Sequence, residues 1–258
     1  MTAPGETPEF ATAAFEIGWR GRKIEAEAAI PTGTVRPRVL LPLVQQLATA
    51  IVGLAEAAVR DRGKEVTCRA GCGACCRQLV PVTATEAHHL RDLIDAMPEP
   101  RRSVVRERFA AGREHLDEAG FTDAVRGAAD APNRLALGRA YFLLGIACPF
   151  LEDESCSIHP DRPLACREYL VTSPAENCRA SSDEGIRKVL LPARPMPAFA
   201  SLDGPTPAGG VRWVALLLAP EWADANPEPP ANEPGIDLFA RFMASLTRDH
   251  SAPPDGPA

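Results

Sequence analysis

Eight cysteines carry the chemistry this chain can do, and they stand in two sets. Cys68, Cys72, Cys75 and Cys76 fall within nine residues, whereas Cys148, Cys156, Cys166 and Cys178 are separated by seven, nine and eleven residues. An even number of cysteines could form disulfides, but a disulfide scaffold spreads its cysteines to close loops. Adjacent Cys75 and Cys76 could bridge only through a strained ring. Thiolates crowded in this way suit a soft metal, so all eight are candidate metal ligands, with disulfides and unrelated buried thiols as the competing readings.

The neighbours of the cysteines favour ligation. Fourteen positions directly flank a cysteine; four are Arg (Arg69, Arg77, Arg167, Arg179) and none is Asp or Glu. A four-thiolate shell around zinc or an oxidised four-iron cluster keeps a net charge of about −2, which nearby cations offset and acids aggravate. Arg77, Arg162 and Arg167 are therefore the candidate cofactor-binding cations. Most other flanking residues are small, among them Gly71, Gly73, Ala74, Ala147, Ser155, Ser157 and Ala165. Small neighbours let backbone N–H groups approach sulfur. The competing explanation is an Arg-rich, Ala-rich chain showing its own composition.

An all-thiolate shell suits zinc and iron–sulfur clusters alike. Short zinc knuckles pair Cys-x2-Cys units, and only Cys72 and Cys75 form one here. The Cys-x3-Cys-x2-Cys spacing leans toward an iron–sulfur cluster, 4Fe-4S favoured, with Zn2+ as the alternative. On a helical backbone Cys75 and Cys76 would point about 100° apart, which is awkward around one tetrahedral ion. The second set is too open for a local knuckle. The two sets are therefore expected to meet, with at least one centre taking ligands from both.

Other titratable residues have plainer readings. Glu86 stands where a helix cap belongs. His88 and His89 read as packed or solvent-facing, Tyr169 as core, and His159 as able to ligate metal through its neutral ring nitrogen.

Positioning these loops falls to a mainly α fold with a small β-hairpin and irregular metal-binding loops between helices. Phe15, Ile17 and Trp19 alternate, as do Ile24, Ala26, Ala28 and Ile30 after Gly21, which predicts the hairpin. Apolar residues at helical spacing predict a helix over 38–62. Thr83-Ala84-Thr85-Glu86 is a capping box opening a helix to about Ala96. Further helices are expected over 101–118, 133–144, 210–218 and 236–246. The chain is divided into a tail (1–13), a cysteine-cluster domain (14–200), a helical extension (201–247) and a second tail (248–258).

Composition bounds the function classes. Ala supplies 43 residues of 258, while Leu, Ile, Val and Phe together supply 57. Large apolar side chains are scarce, so a bound metal would contribute to stability. A net charge of −6 and a pI of about 5.5 give no general field for nucleic acid. No run of 18 apolar residues is present, so no membrane partner is expected. Met1–Arg20 holds no apolar signal segment, so a cytoplasmic, reducing location is expected. No feature identifies a protein partner.

The first run shares its Cys-x3-Cys-x2-Cys core with radical enzymes that cleave S-adenosylmethionine, but the strand–helix alternation of their barrel is absent. The second set matches more specifically. Cys72-x2-Cys75-Cys76-Arg77, Cys148-Pro149-Phe150-Leu151, Cys156-Ser157-Ile158 and Arg162-Pro163 followed by Cys166-Arg167 resemble the YkgJ family of cysteine-cluster proteins, which bears the CxxCxxCC signature. The resemblance covers about Cys68 to Cys178, and His159 departs from it where the family usually has Tyr, which implies a packing or hydrogen-bonding role rather than ligation. It implies a protein that binds zinc or iron, the iron alone or in an iron–sulfur cluster, and it implies no reaction. Flagellin lysine methylases contain a related domain. The distant alternative is thus an iron–sulfur enzyme of redox or methyl-transfer type, although no glycine-rich loop for S-adenosylmethionine is visible.

Overall fold

Strict alternation builds the first element. In this computed structural model, which describes residues 9–69, 71–179, 185–207 and 210–248, β1 (Phe10–Trp19) pairs antiparallel with β2 (Arg22–Pro31). Their two-residue turn, Arg20-Gly21, has positive φ at both positions, which matches the twist of the strands. The hairpin starts at Phe10 and so takes in residues 10–13, read from sequence as part of a tail. Residues 1–8 and 249–258, read as tails, lie outside the described residues. The short strand β3 (Thr34–Val35) follows, then α1 (Leu41–Arg60) with Pro42 in its first turn, where no amide partner is lost.

By length and mean hydropathy (1.6), the segment Pro37–Arg60 would qualify as a membrane span, so the lack of an unbroken apolar run does not by itself exclude one. In the structure Val44, Leu47, Ala48 and Ile51 of α1 are buried against Ile30 and Phe199, Leu238 and Phe242 from the chain's C-terminal part. This is the first of two large cores; a third, small cluster of Ala74, Val171 and Cys178 packs with Cys68, Cys72 and Tyr169.

Past the first cysteine run come β4 (Pro81–Val82), α2 (Ala84–Asp95), α3 (Arg101–Glu118), α4 (Thr122–Arg126) and α5 (Arg134–Leu143). The second run holds the hairpin β5 (Leu151–Glu152) and β6 (Ser155–Cys156) and the single-turn helix α6 (Leu164–Glu168). Then follow α7 (Pro195–Ala200), β7 (Val214–Ala215), α8 (Ala219–Ala225), β8 (Glu233–Pro234) and α9 (Gly235–Arg248). β3 pairs with β8 and β4 with β7, each across most of the chain. The second core joins α2, α3, Phe150, Ile158 and residues 214–219.

One expected helix is absent. Residues 210–218 were read as helical, but Val214–Ala215 form β7 and Leu216–Leu218 a 3-10 turn. All five of these residues are buried, so no single helical face is selected. Pro220 then sits at the start of α8, where its ring is tolerated. The remaining expected helices appear at close to their expected bounds.

Candidate metal centre

The cysteine loops lie at the junction of the two cores, and each is pinned by its neighbours. Thr67 donates its amide to the Val171 carbonyl (3.0 Å), and its hydroxyl to that of Ser173 (2.5 Å). This joins the start of the first loop to the end of the second. The Cys148 amide donates to the Cys76 carbonyl at 2.7 Å, joining their other ends. Phe150 and Ile158 anchor the second loop in one core, and Leu164 anchors α6 in the other.

Gly73 shows how closely the loops approach. A Cβ there would lie 2.7 Å from Glu154 Oε2 and 2.8 Å from Leu151 Cδ1, so no side chain fits without displacement. Cys75 and Cys76 follow in a 3-10 turn, Ala74–Arg77, whose Ala74 is buried. Asp153 and Glu154, at the tip of the β5–β6 hairpin, both adopt positive φ, a disfavoured state for residues with a Cβ. That geometry delivers Glu154 to Arg77, with a 2.7 Å ion pair.

Cys75 is the thiol that the two cysteine sets share electrostatically. Its proton titration is shifted upward first by a thiol–thiol hydrogen bond with Cys76, then by burial. Cys75 also acts electrostatically on Cys68 and Cys178, and on Cys148, Cys156 and Cys166. Cys72 acts on Cys68 and Cys178. Burial is the leading cause that raises all five of those flanking thiols; Cys148 is pushed up to about 12. Buried neutral thiols release protons when a metal binds, so occupancy is linked to pH. All eight cysteines are free thiols. Among the described residues, no group of three or more His, Cys, Asp or Glu side chains is placed to hold a metal ion.

The three candidate arginines have different settings. Arg77 is held by Glu154 and donates to the Gly73 carbonyl at 2.9 Å. Arg167 is buried; it donates to the carbonyls of Arg162 (3.0 Å) and Pro160 and to the Thr49 hydroxyl (3.3 Å), bracing the loop onto α1. Arg162 faces the thiols: its charge lowers the titration of Cys68, Cys75 and Cys156, and its Nε is buried with no hydrogen-bond partner among the described residues. An unpartnered buried guanidinium N–H beside thiolates is suited to an anionic centre.

The other singled-out residues fall into place. Glu86 is the cap: it accepts the Thr83 amide at 2.9 Å, and it also accepts the Leu164 amide of α6 at 2.7 Å. His88 is buried beside the Trp222 ring, 5.7 Å between centroids, and His159 is exposed. Tyr169 is partly buried, and its hydroxyl hydrogen-bonds to the Cys178 thiol.

Sequence reasoning missed Glu154 and Glu168. No acid flanks a cysteine in sequence, yet folding brings Glu154 onto the first run. Glu168, two residues after Cys166, is buried and pushed up to about 7, burial being the leading cause. The run Asp153-Glu154 before Ser-Cys156 signalled a turn, but not what that turn would touch.

No curated protein and no solved structure gives a significant match to the chain. A family model does match residues 67–184, the stretch that contains every cysteine; its description is "CxxCxxCC: Putative zinc- or iron-chelating domain". Residues 67–184 are thus similar to the CxxCxxCC cysteine-cluster domain, a similarity that spans just under half of the chain and includes residues of both large hydrophobic cores.

Proposed function

We propose that the chain holds an iron–sulfur centre shared by the two loops, with Cys75 common to both sides. The observation that carries this reading is the field around Cys75. It acts on thiols from both loops: on Cys68 and Cys178, which Cys72 also influences, and on Cys148, Cys156 and Cys166. A structural zinc ion takes four such ligands, so this many thiols favour a polynuclear centre, or two centres side by side. The donor set fits: all the thiols are free, and Arg162 supplies positive charge with an uncommitted Nε.

When bound, such a cluster supplies electron-transfer or Lewis-acid chemistry. The chain's own residues hold and bias it. Arg162 offsets its negative charge, Tyr169 orients Cys178, Glu86 fixes α6 and hence Cys166, and Phe150 and Ile158 keep one side dry. Free thiols in this number suit a reducing compartment, consistent with the cytoplasmic location expected from sequence. Zinc is the second reading, favoured by the same all-sulfur donor set. An iron–sulfur enzyme is a further reading, favoured by an open cleft beside Cys75 and Cys166.

The test is anaerobic purification with iron, zinc and acid-labile sulfide analysis, and absorption spectra of single variants. Brown protein with absorption near about 400 nm, lost on replacing either Cys75 or Cys166 with Ser, is the expected result. Colourless protein with stoichiometric zinc despite supplied iron would overturn the cluster. Unchanged metal after loss of all four second-set thiols would overturn the shared centre.

A further inference from the structure

The two edges of the β1–β2 hairpin are built differently. In an antiparallel pair, residues that exchange hydrogen bonds with the partner strand alternate with residues whose N–H and C=O point away from it. The Thr32 amide donates to the Glu9 carbonyl at 2.9 Å, which continues the β1–β2 register and sets the phase. Odd-numbered residues of β1 therefore bond to β2, and Phe10, Thr12, Ala14, Glu16 and Gly18 turn their backbone groups to the open edge. On β2 the outward groups belong to Lys23, Glu25, Glu27, Ala29 and Pro31. Edge strands avoid pairing with other chains through charges, proline, bulges or short length. The β2 edge carries three charges and a proline, which has no N–H. The β1 edge is ten residues long, has no bulge and no proline, and carries one charge, Glu16. Among the described residues, β2 is its only strand partner.

The open edge is complementary to itself. A two-fold axis at Ala14 sets that residue against Ala14 of a second copy, Thr12 against Glu16, and Phe10 against Gly18. On the inner face it sets Ala13 against Phe15 and Ala11 against Ile17. Each large apolar side chain thus lies opposite a small residue. Phe10, 56% exposed, comes to lie over the backbone that Gly18 leaves bare. Glu16 meets Thr12 and not another carboxylate. Among two-fold axes through an outward residue, this one alone pairs all five. An axis at Glu16 would set two carboxylates together and leave Phe10 and Thr12 unpaired.

We propose that β1 is a homodimer contact: two copies join edge to edge through antiparallel β1 strands, in the strand order β2–β1–β1–β2. Five outward residues on each strand supply ten backbone hydrogen bonds, as many as the roughly ten direct hydrogen bonds of a typical protein–protein interface. Ala13, Phe15 and Ile17 pack on the first core and keep part of their surface open. The pairing covers more of that surface and carries the apolar face across the axis. The contact is isologous and closes on itself. The guarded β2 edges then lie outermost and stop further growth. This inference does not depend on which metal the thiols hold.

The experiment is sedimentation equilibrium of the reduced, metal-loaded chain over about 0.1–100 µM, with metal content and circular dichroism measured for each variant. A reversible monomer–dimer equilibrium is expected, reaching twice the 27.6 kDa mass of one chain. Ala14→Pro removes an amide that faces the open edge and not β2, so it should weaken dimerisation by at least about tenfold while the hairpin stays paired. Thr12→Glu, at an exposed position, sets carboxylates opposite each other across the axis and should also weaken it by at least about tenfold. Adding Glu16→Lys to Thr12→Glu turns that repulsion into attraction and should bring the dimer back to within about threefold of the parent. This charge exchange reports the register, and it decides the matter should Ala14→Pro fold poorly. A monomer at every concentration would overturn the proposal. So would growth beyond a dimer, or a dimer that Thr12→Glu leaves unweakened.

Discussion

Replacing Glu86 with Gln tests the joint between helix α2 and the second cysteine loop. Glu86 is 1% exposed, and each of its oxygens accepts a backbone amide, Thr83 at 2.9 Å and Leu164 at 2.7 Å. Burial raises its proton affinity on balance, while the amide donors from Thr83 and Leu164 lower it. Two N–H donors, one facing each oxygen, are best matched by the ionised form, because a protonated carboxyl would present a donor of its own at one oxygen. Gln keeps a single carbonyl oxygen, and its NH2 group would meet the second amide donor to donor. One hydrogen bond is lost and one buried amide is left unpaired, together about 2–4 kcal/mol. For a chain of this size that lowers Tm by roughly 5–15 °C. The assay is thermal unfolding of metal-loaded and metal-free protein. Because Leu164 opens α6, which carries Cys166, metal retention should fall as well. A Tm change under about 2 °C, with metal content unchanged, would refute the assignment of Glu86 as an ionised double acceptor.

Gly73→Ala should cost about 1–3 kcal/mol by forcing Glu154 and Leu151 away, and should reduce metal content more than it reduces helix content measured by circular dichroism. Arg162→Gln removes the charge that lowers the Cys68, Cys75 and Cys156 titrations, so the pH at which half the metal is retained should move upward, as read by metal analysis after equilibration across a pH series. Removing the metal altogether should lower Tm by more than about 10 °C, since a loss of a few kcal/mol shifts a domain of this size by that much; an apo form melting with the holo form would refute a structural role. Burial lowers the titrations of His88 and His89, so the unfolded chain takes up more protons below about pH 6.5 and their contribution to stability falls as pH drops. Glu168 and Asp203, pushed up to about 7 and about 6, act in the opposite sense, because the folded state takes up their protons first. A His88→Phe, His89→Leu variant should therefore lose less stability, or gain more, than the parent between pH 7.5 and 5.5, measured by urea unfolding; parallel pH profiles would refute the histidine term.

Elements whose signals are local were legible before folding. Alternation from Phe15 to Ile30 marked the hairpin, and the Thr83–Glu86 box marked the start of α2. The cysteine spacing and the Arg162-Pro163 segment marked the metal-chelating family, because ligation is a property of residue types held close in sequence. Residues 210–218 were misread because burial on all sides erases the periodicity that separates helix from strand; only the pairing of Val214–Ala215 with Pro81–Val82 decides it. What lay beyond sequence was every contact between distant segments. Glu154 reaches Gly73 and Arg77 because a hairpin tip adopts left-handed backbone and packs on another loop. Glu86 reads as a cap at short range, and only the tertiary structure gives it a second task on α6. The division among Arg77, Arg162 and Arg167 is of the same kind. All three are cations near cysteines, but which of them keeps a donor free depends on the partners that packing supplies, and those partners come from elsewhere in the chain.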